Sequence, residues 1–141
     1  MSLLKWMLIT FGVLFLVIAA ALFGLGYWAS GIESVKMTPA DVEVGGTYPP
    51  EEKQALLAAC EKSAGADRTT QCACLADKAG ADLSRFERLM LTATFEGSPS
   101  KIIAVTKGVI DSGISMEKTQ EIERQSKQRF DTLMQACGLQ Q

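Results

Sequence analysis

"TTQCACLADK", residues 69–78, sets Cys72 and Cys74 two positions apart in a stretch that reads as a helix. At 3.6 residues per turn, side chains two apart diverge by about 200°. One thiol can therefore face each of two neighbouring elements. Cys72 shares its side with Leu75, Ala76 and Ala79, an apolar stripe suited to a core. Cys74 shares its side with Asp77, Lys78 and Ala81, which is more polar.

Two further cysteines, Cys60 and Cys137, complete the set. An even number of cysteines in a small exported domain reads as paired disulfides. A bond between Cys72 and Cys74 would close a very small strained ring within a helix. Of the remaining connectivities, Cys60–Cys74 with Cys72–Cys137 is favoured. Cys60 and Cys74 are equidistant from a hairpin centre at Asp67, and Cys72 faces the core that the last helix should join. The alternative swaps the partners, giving Cys60–Cys72 and Cys74–Cys137.

Helical punctuation extends on both sides of this segment. Pro49-Pro50 followed by Glu51 and Glu52 reads as a helix start, with proline in the first turn and acids at the positive end of the dipole. Leu56, Leu57 and Cys60 share a face, and Gly65 is a natural stop. A second helix is expected over Thr70–Ala79, stopped by Gly80. "SRFE", residues 84–87, is a capping box that opens a third, with Phe86, Leu89, Met90 and Ala93 at helical spacing and Gly97 as its end. Ser98 and Pro99 open a fourth, with Ile102, Ile103, Val109 and Ile110 as its apolar face. The last starts at Ser115. Met116, Thr119, Ile122, Ser126, Phe130, Leu133, Met134 and Cys137 form its apolar side, and Gly138 stops it. Residues 50–141 thus read as one small all-α domain of four to five helices, braced by disulfides because a core of this size is thin.

The N-terminal part differs. From Trp6 to Ile32 no charged residue occurs, and Trp6–Trp28 is long enough to cross a bilayer as a helix. Trp6, Tyr27 and Trp28 stand where amphipathic rings settle at the interfaces, and Lys5 with the α-amino group precedes the run. Residues 1–28 are therefore expected to be a transmembrane anchor, with a cytoplasmic N-terminus and the domain in the periplasm. A cleaved signal peptide is the rival; cutting at Ala19–Ala21 would leave "LFGLGYW" as an exposed apolar flap. Ala20 and Gly24 form a small-xxx-small pair through which two such helices could approach, making a homo-oligomer possible. Residues 29–49 contain Pro39, Gly45, Gly46 and Pro49 without helical period, and are expected to be a flexible linker.

The chain carries 14 basic and 16 acidic residues, a net charge of −2, and no histidine. A basic footprint for nucleic acid is missing. No Ser-His-Asp or Cys-His pair is possible, and there is no phosphate-cradling glycine loop. The C-x-C pair lacks the second close pair of a zinc site and does not follow the C-x-x-C pattern of low-pKa thiols. No catalytic residue, cofactor or metal is therefore expected. The expected role is that of an inner-membrane protein whose periplasmic helical domain binds other proteins, as an accessory, assembly or stabilising subunit of an envelope complex. Two alternatives are an anchored thiol–disulfide protein using Cys72 and Cys74, and a module that binds an envelope lipid.

Overall fold

The computed structural model describes Ile18, Gly24 and residues 31–140. The chain divides into two compact units, Met1–Glu33 and Ser34–Gln141. In the first, Ile18 and Gly24 are helical, and a Cβ added at Gly24 would meet nothing within 4 Å. The expected anchor, with Ala20, otherwise lies outside the described residues. Among the described residues no helix is long and apolar enough to cross a membrane.

The second unit is all-α among its described residues, with five helices: α1 Pro50–Ala64, α2 Thr69–Asp82, α3 Arg85–Glu96, α4 Pro99–Asp111 and α5 Met116–Ala136. The expected punctuation marks are largely in place. Glu87 N donates to Ser84 Oγ and Ser84 N donates to Glu87 Oε2, so both halves of the capping box form at the start of α3. Gly97 closes α3 at φ 62°, in the left-handed region that a side chain disfavours. Ser115 caps α5, its Oγ accepting from Lys118 N. Ser98 occupies the cap position of α4, but its hydroxyl pairs with Ser100 Oγ and leaves the helix end without a side-chain cap.

α1 packs against α2 and α3, α3 continues onto α4, and α5 returns along α2. The main core gathers Leu56, Cys60, Cys72, Leu75, Leu83 and Leu133. A second, smaller cluster joins Val42, Val109 and Ile122, with Phe86 and Ile114 packed against it.

Four expectations are corrected. The favoured disulfide pairing is replaced by its alternative. Cys60 bonds Cys72 and Cys74 bonds Cys137, with Cα–Cα distances of 5.6 and 5.7 Å. The turn between α1 and α2 is a short 3-10 segment, Ala66–Arg68. Its first residue, Ala66, is midway between Cys60 and Cys72, so the register is one residue off a centre at Asp67. Cys72 does face the core, but the neighbour it meets there is Cys60 on α1, buried like itself. Cys74, on the more polar side of α2, reaches Cys137 just past the end of α5, and Asp77 of the same side pairs with Lys53 on α1.

The second correction concerns Gly80, which does not end α2. The helix runs on to Asp82, and Gly80 serves as a seat for Tyr48: a Cβ there would lie 2.8 Å from Tyr48 Cδ1.

The third concerns residues 34–49. They are not a free linker but a strap laid across the domain. Val35 N donates to Ala104 O on α4 at 3.1 Å. Gly108, one turn on, lets the strap pass, because a Cβ there would meet Val35 O at 2.1 Å. Met37 and Val42 are buried, Pro39–Val42 forms a 3-10 turn, and Val44 makes an isolated bridge with Ser84. Arg88, 1% exposed, holds the strap's end. Its Nη2 donates to Thr47 O at 2.8 Å, its Nη1 to Leu83 O at 3.0 Å and Gly45 O at 3.4 Å. Its guanidinium also lies over the Tyr48 ring, 4.5 Å from the centroid. Arg85 adds a second hold, bonding Lys36 O and pairing with Glu52 and Asp41. The glycines and prolines that suggest flexibility shape a path over the helices instead.

The fourth concerns the apolar faces of α4 and α5. Ile110 is 59% exposed and Met116 75% exposed. Both flank the α4–α5 corner, Ile110 in the last turn of α4 and Met116 at the first position of α5.

Candidate functional site

The most apolar concavity is a groove of ≈ 380 Å³ bounded by α3, α4 and α5. Phe86 and Met90, one turn apart on α3, form one wall. Thr106 and Val109, on one face of α4, form the second. Thr119, Ile122, Ser126 and Phe130 run along α5 as the third, in steps of three and four that keep them on one side. The outer lip belongs to α5 alone: Glu123, Lys127 and Asp131, four residues apart and all exposed. Pockets of this size with apolar walls and few polar groups are the usual form of a ligand site.

The polar atom nearest the floor is engaged. Ser126, buried, donates its Oγ to Glu87 Oε1 at 2.7 Å. Glu87 is fully buried and also accepts from Arg129, through Nε at 2.7 Å and through Nη2. One carboxylate thus closes the capping box of α3 with one oxygen and ties α3 to α5 with the other. A buried carboxylate is tolerated when its lone pairs are filled in this way. Glu87 ties two groove walls together, and both of its oxygens are engaged within the protein.

A second polar cluster lies under the strap. Tyr48 Oη, Glu52 Oε2 and Arg88 Nε are buried there without a hydrogen-bond partner. Burial raises the Tyr48 phenol above its ordinary value, the nearby Arg88 charge opposing the shift, and burial likewise lowers the Arg88 guanidinium.

The cysteines do not converge on a site. All four are in disulfides, Cys60 and Cys72 within the core and Cys74 and Cys137 tying α2 to α5. Among the described residues no group of three or more Cys, Asp or Glu side chains is placed to hold a metal ion. Of the expected transmembrane packing pair, Gly24 is helical and Ala20 lies outside the described residues. The groove itself was not legible as a site. Phe86, Met90, Val109, Ile122 and Phe130 carry the ordinary signal of core positions, as does Thr119 by its place on the apolar side of the last helix, and Thr106 carries that of helix surface. What separates them from core is that α5 leans on α2 through its C-terminal half, a tertiary fact without a mark in the spacing.

Neither a family model, nor a curated protein, nor a solved structure matches the chain.

Proposed function

We propose that the protein is a single-span inner-membrane protein, anchored by Trp6–Trp28, whose helical domain works in the periplasm by binding, as an accessory or stabilising subunit of a membrane complex. The observation that carries this reading is the groove: an apolar concavity whose floor hydroxyl and carboxylate are already bonded to each other and to Arg129. Such a surface can hold a partner; its charged groups, Glu123, Lys127 and Asp131, stand exposed along the lip. Two disulfides support the oxidising compartment. The aromatic rings at both ends of the uncharged run support the anchor.

Site-specific photo-crosslinking in cells tests the reading. A photoreactive residue at Met90 or Lys127 should yield protein adducts, and one at Lys62, remote from the groove on α1, should not. The same adduct partners should co-purify from mild detergent. A chain that runs alone under both conditions would defeat the reading.

A further inference from the structure

We infer that the strap, residues 34–49, is a lever on the groove: seated, it supports the walls in the arrangement that receives the partner, and lifted, it leaves them without that support. The inference deepens the proposed function by naming a control on the same site, and it rests on the protein partner proposed there.

Three observations carry it. The first is a shared set of side chains. Val42, buried in the strap, forms one cluster with Val109 and Ile122, and Phe86 packs against it. Phe86, Val109 and Ile122 also line the groove, one from each of its three walls. One strap side chain thus belongs to the packing that joins all three. Met37 adds a contact beside them: its Cγ would lie 3.0 Å from a Cβ at Gly108, the neighbour of Val109. Protein interiors are close-packed and relax only in part around a space left by a side chain. Withdrawal of Val42 should therefore shift the walls it packs with.

The second is the nature of the hold, which is a handful of separate polar contacts. Val35 N donates to Ala104 O. Asp41 Oδ2 accepts from Thr38 N at 2.7 Å and from Thr38 Oγ1 at 2.9 Å, closing the turn that presents Val42. Asp41 also pairs with Arg85 at 3.6 Å. Arg88 grips the carbonyls of Gly45 and Thr47. Releasing these contacts breaks no hydrogen bond within a helix, so the strap can open as a unit of its own.

The third is a cost of seating. Tyr48 Oη, Glu52 Oε2 and Arg88 Nε are buried without a hydrogen-bond partner beneath the strap. Unpaired buried polar groups oppose the state that buries them. Lifting relieves that cost, which brings the two states closer in free energy than the strap's contacts alone imply. Linkage then works both ways: a partner that prefers the supported groove must also hold the strap down.

The test compares the full chain with Val35→Pro, which removes the N–H given to Ala104, and Asp41→Ala, which removes the acceptor of the turn. Neither residue lines the groove. Glu43→Gln, at an exposed strap position, is the control. Methionine methyl resonances are followed in detergent micelles, Met37 reporting the strap, Met90 the groove and Met134 the main core. Both variants should move Met37 and Met90, leave Met134 in place and speed trypsin cleavage after Lys36, with helix content by circular dichroism unchanged. In cells, protein adducts from a photoreactive residue at Lys127 should fall about fivefold or more in both variants and not in the control. A moved Met37 with an unmoved Met90 would overturn the lever. A moved Met37 with undiminished adducts would overturn the control of binding, whatever Met90 does. Met37 unmoved in both variants, or helix content lost in both, would overturn the strap as a separable element. A parent without adducts at Lys127, in which Met90 still follows Met37, would reject the protein partner and leave the mechanical coupling standing.

Discussion

At the scale of single residues, Glu87 carries the largest responsibility per atom. Its carboxylate serves Ser84 N, Ser126 Oγ and Arg129. Glu87→Ala removes all four bonds to these three partners and leaves Arg129 without its carboxylate. Loss of one partner from a buried pair typically costs about 3–5 kcal/mol, and the partial exposure of Arg129 argues for the lower end. Urea unfolding of the variant should show about 3 kcal/mol lost, and Gln125→Ala, on the exposed side of the same helix, about 0.5 kcal/mol or less. Tyr48 offers a titration. Its phenol is held above its ordinary value by burial, so the folded state keeps its proton at a pH where the unfolded state has begun to lose it. Any stability linked to it is complete below the unfolded value and declines as pH rises through the folded one. Ultraviolet titration should show one tyrosine ionising late, with denaturant restoring the ordinary midpoint. A Tyr48 that ionises with the same midpoint folded and unfolded would contradict the burial of its hydroxyl.

At the scale of elements, the strap is the segment whose behaviour differs most from its composition. Arg88→Met removes the donors to Gly45, Thr47 and Leu83 carbonyls while keeping an apolar stem over Tyr48. The strap should then lift while the helices stay folded. Trypsin should cut after Lys36 early in the variant and late in the parent, with helix content little changed. Gly108→Ala tests the other end. Its methyl group would collide with Val35 O, and relief by backbone movement should cost about 1–3 kcal/mol in thermal unfolding. The helices themselves were legible in advance because their boundaries are local: a proline pair, a capping box and glycines in left-handed turns each act within a few residues. The strap was not, because its stability comes from Arg88 and from the absence of a side chain at Gly108, both more than 35 residues away in sequence. The same holds for Gly80, read as a stop from its neighbours and retained inside α2 by Tyr48. The groove stayed hidden for a related reason. Periodicity tells which side of a helix is apolar, and packing decides whether that side is covered.

At the scale of the whole molecule, two covalent loops brace the domain. The Cys60–Cys72 bond closes 12 residues and the Cys74–Cys137 bond 63. If the bonds act by restricting the unfolded chain, the shorter loop contributes about 3 kcal/mol and the longer about 4 kcal/mol. Replacing Cys74 and Cys137 together by serine should therefore lower stability somewhat more than replacing Cys60 and Cys72, as read by urea midpoints at equal slope. Cys137→Ser alone should leave Cys74 as the alkylatable thiol, and release of Cys72 instead would contradict the connectivity. The order of these bonds along the chain has a consequence for biogenesis. If the domain crosses the membrane as proposed, its N-terminal end emerges first, so Cys60 and Cys72 can be oxidised soon after both emerge, before the partner of Cys74 has followed. Cys74 emerges two residues after Cys72 and must wait, reduced, until another 63 residues have followed. During that interval it competes with Cys72 for Cys60. A cell lacking its disulfide isomerase should therefore accumulate molecules joined Cys60–Cys74, with Cys72 and Cys137 stranded. The protein's yield would then depend on proofreading as well as on oxidation.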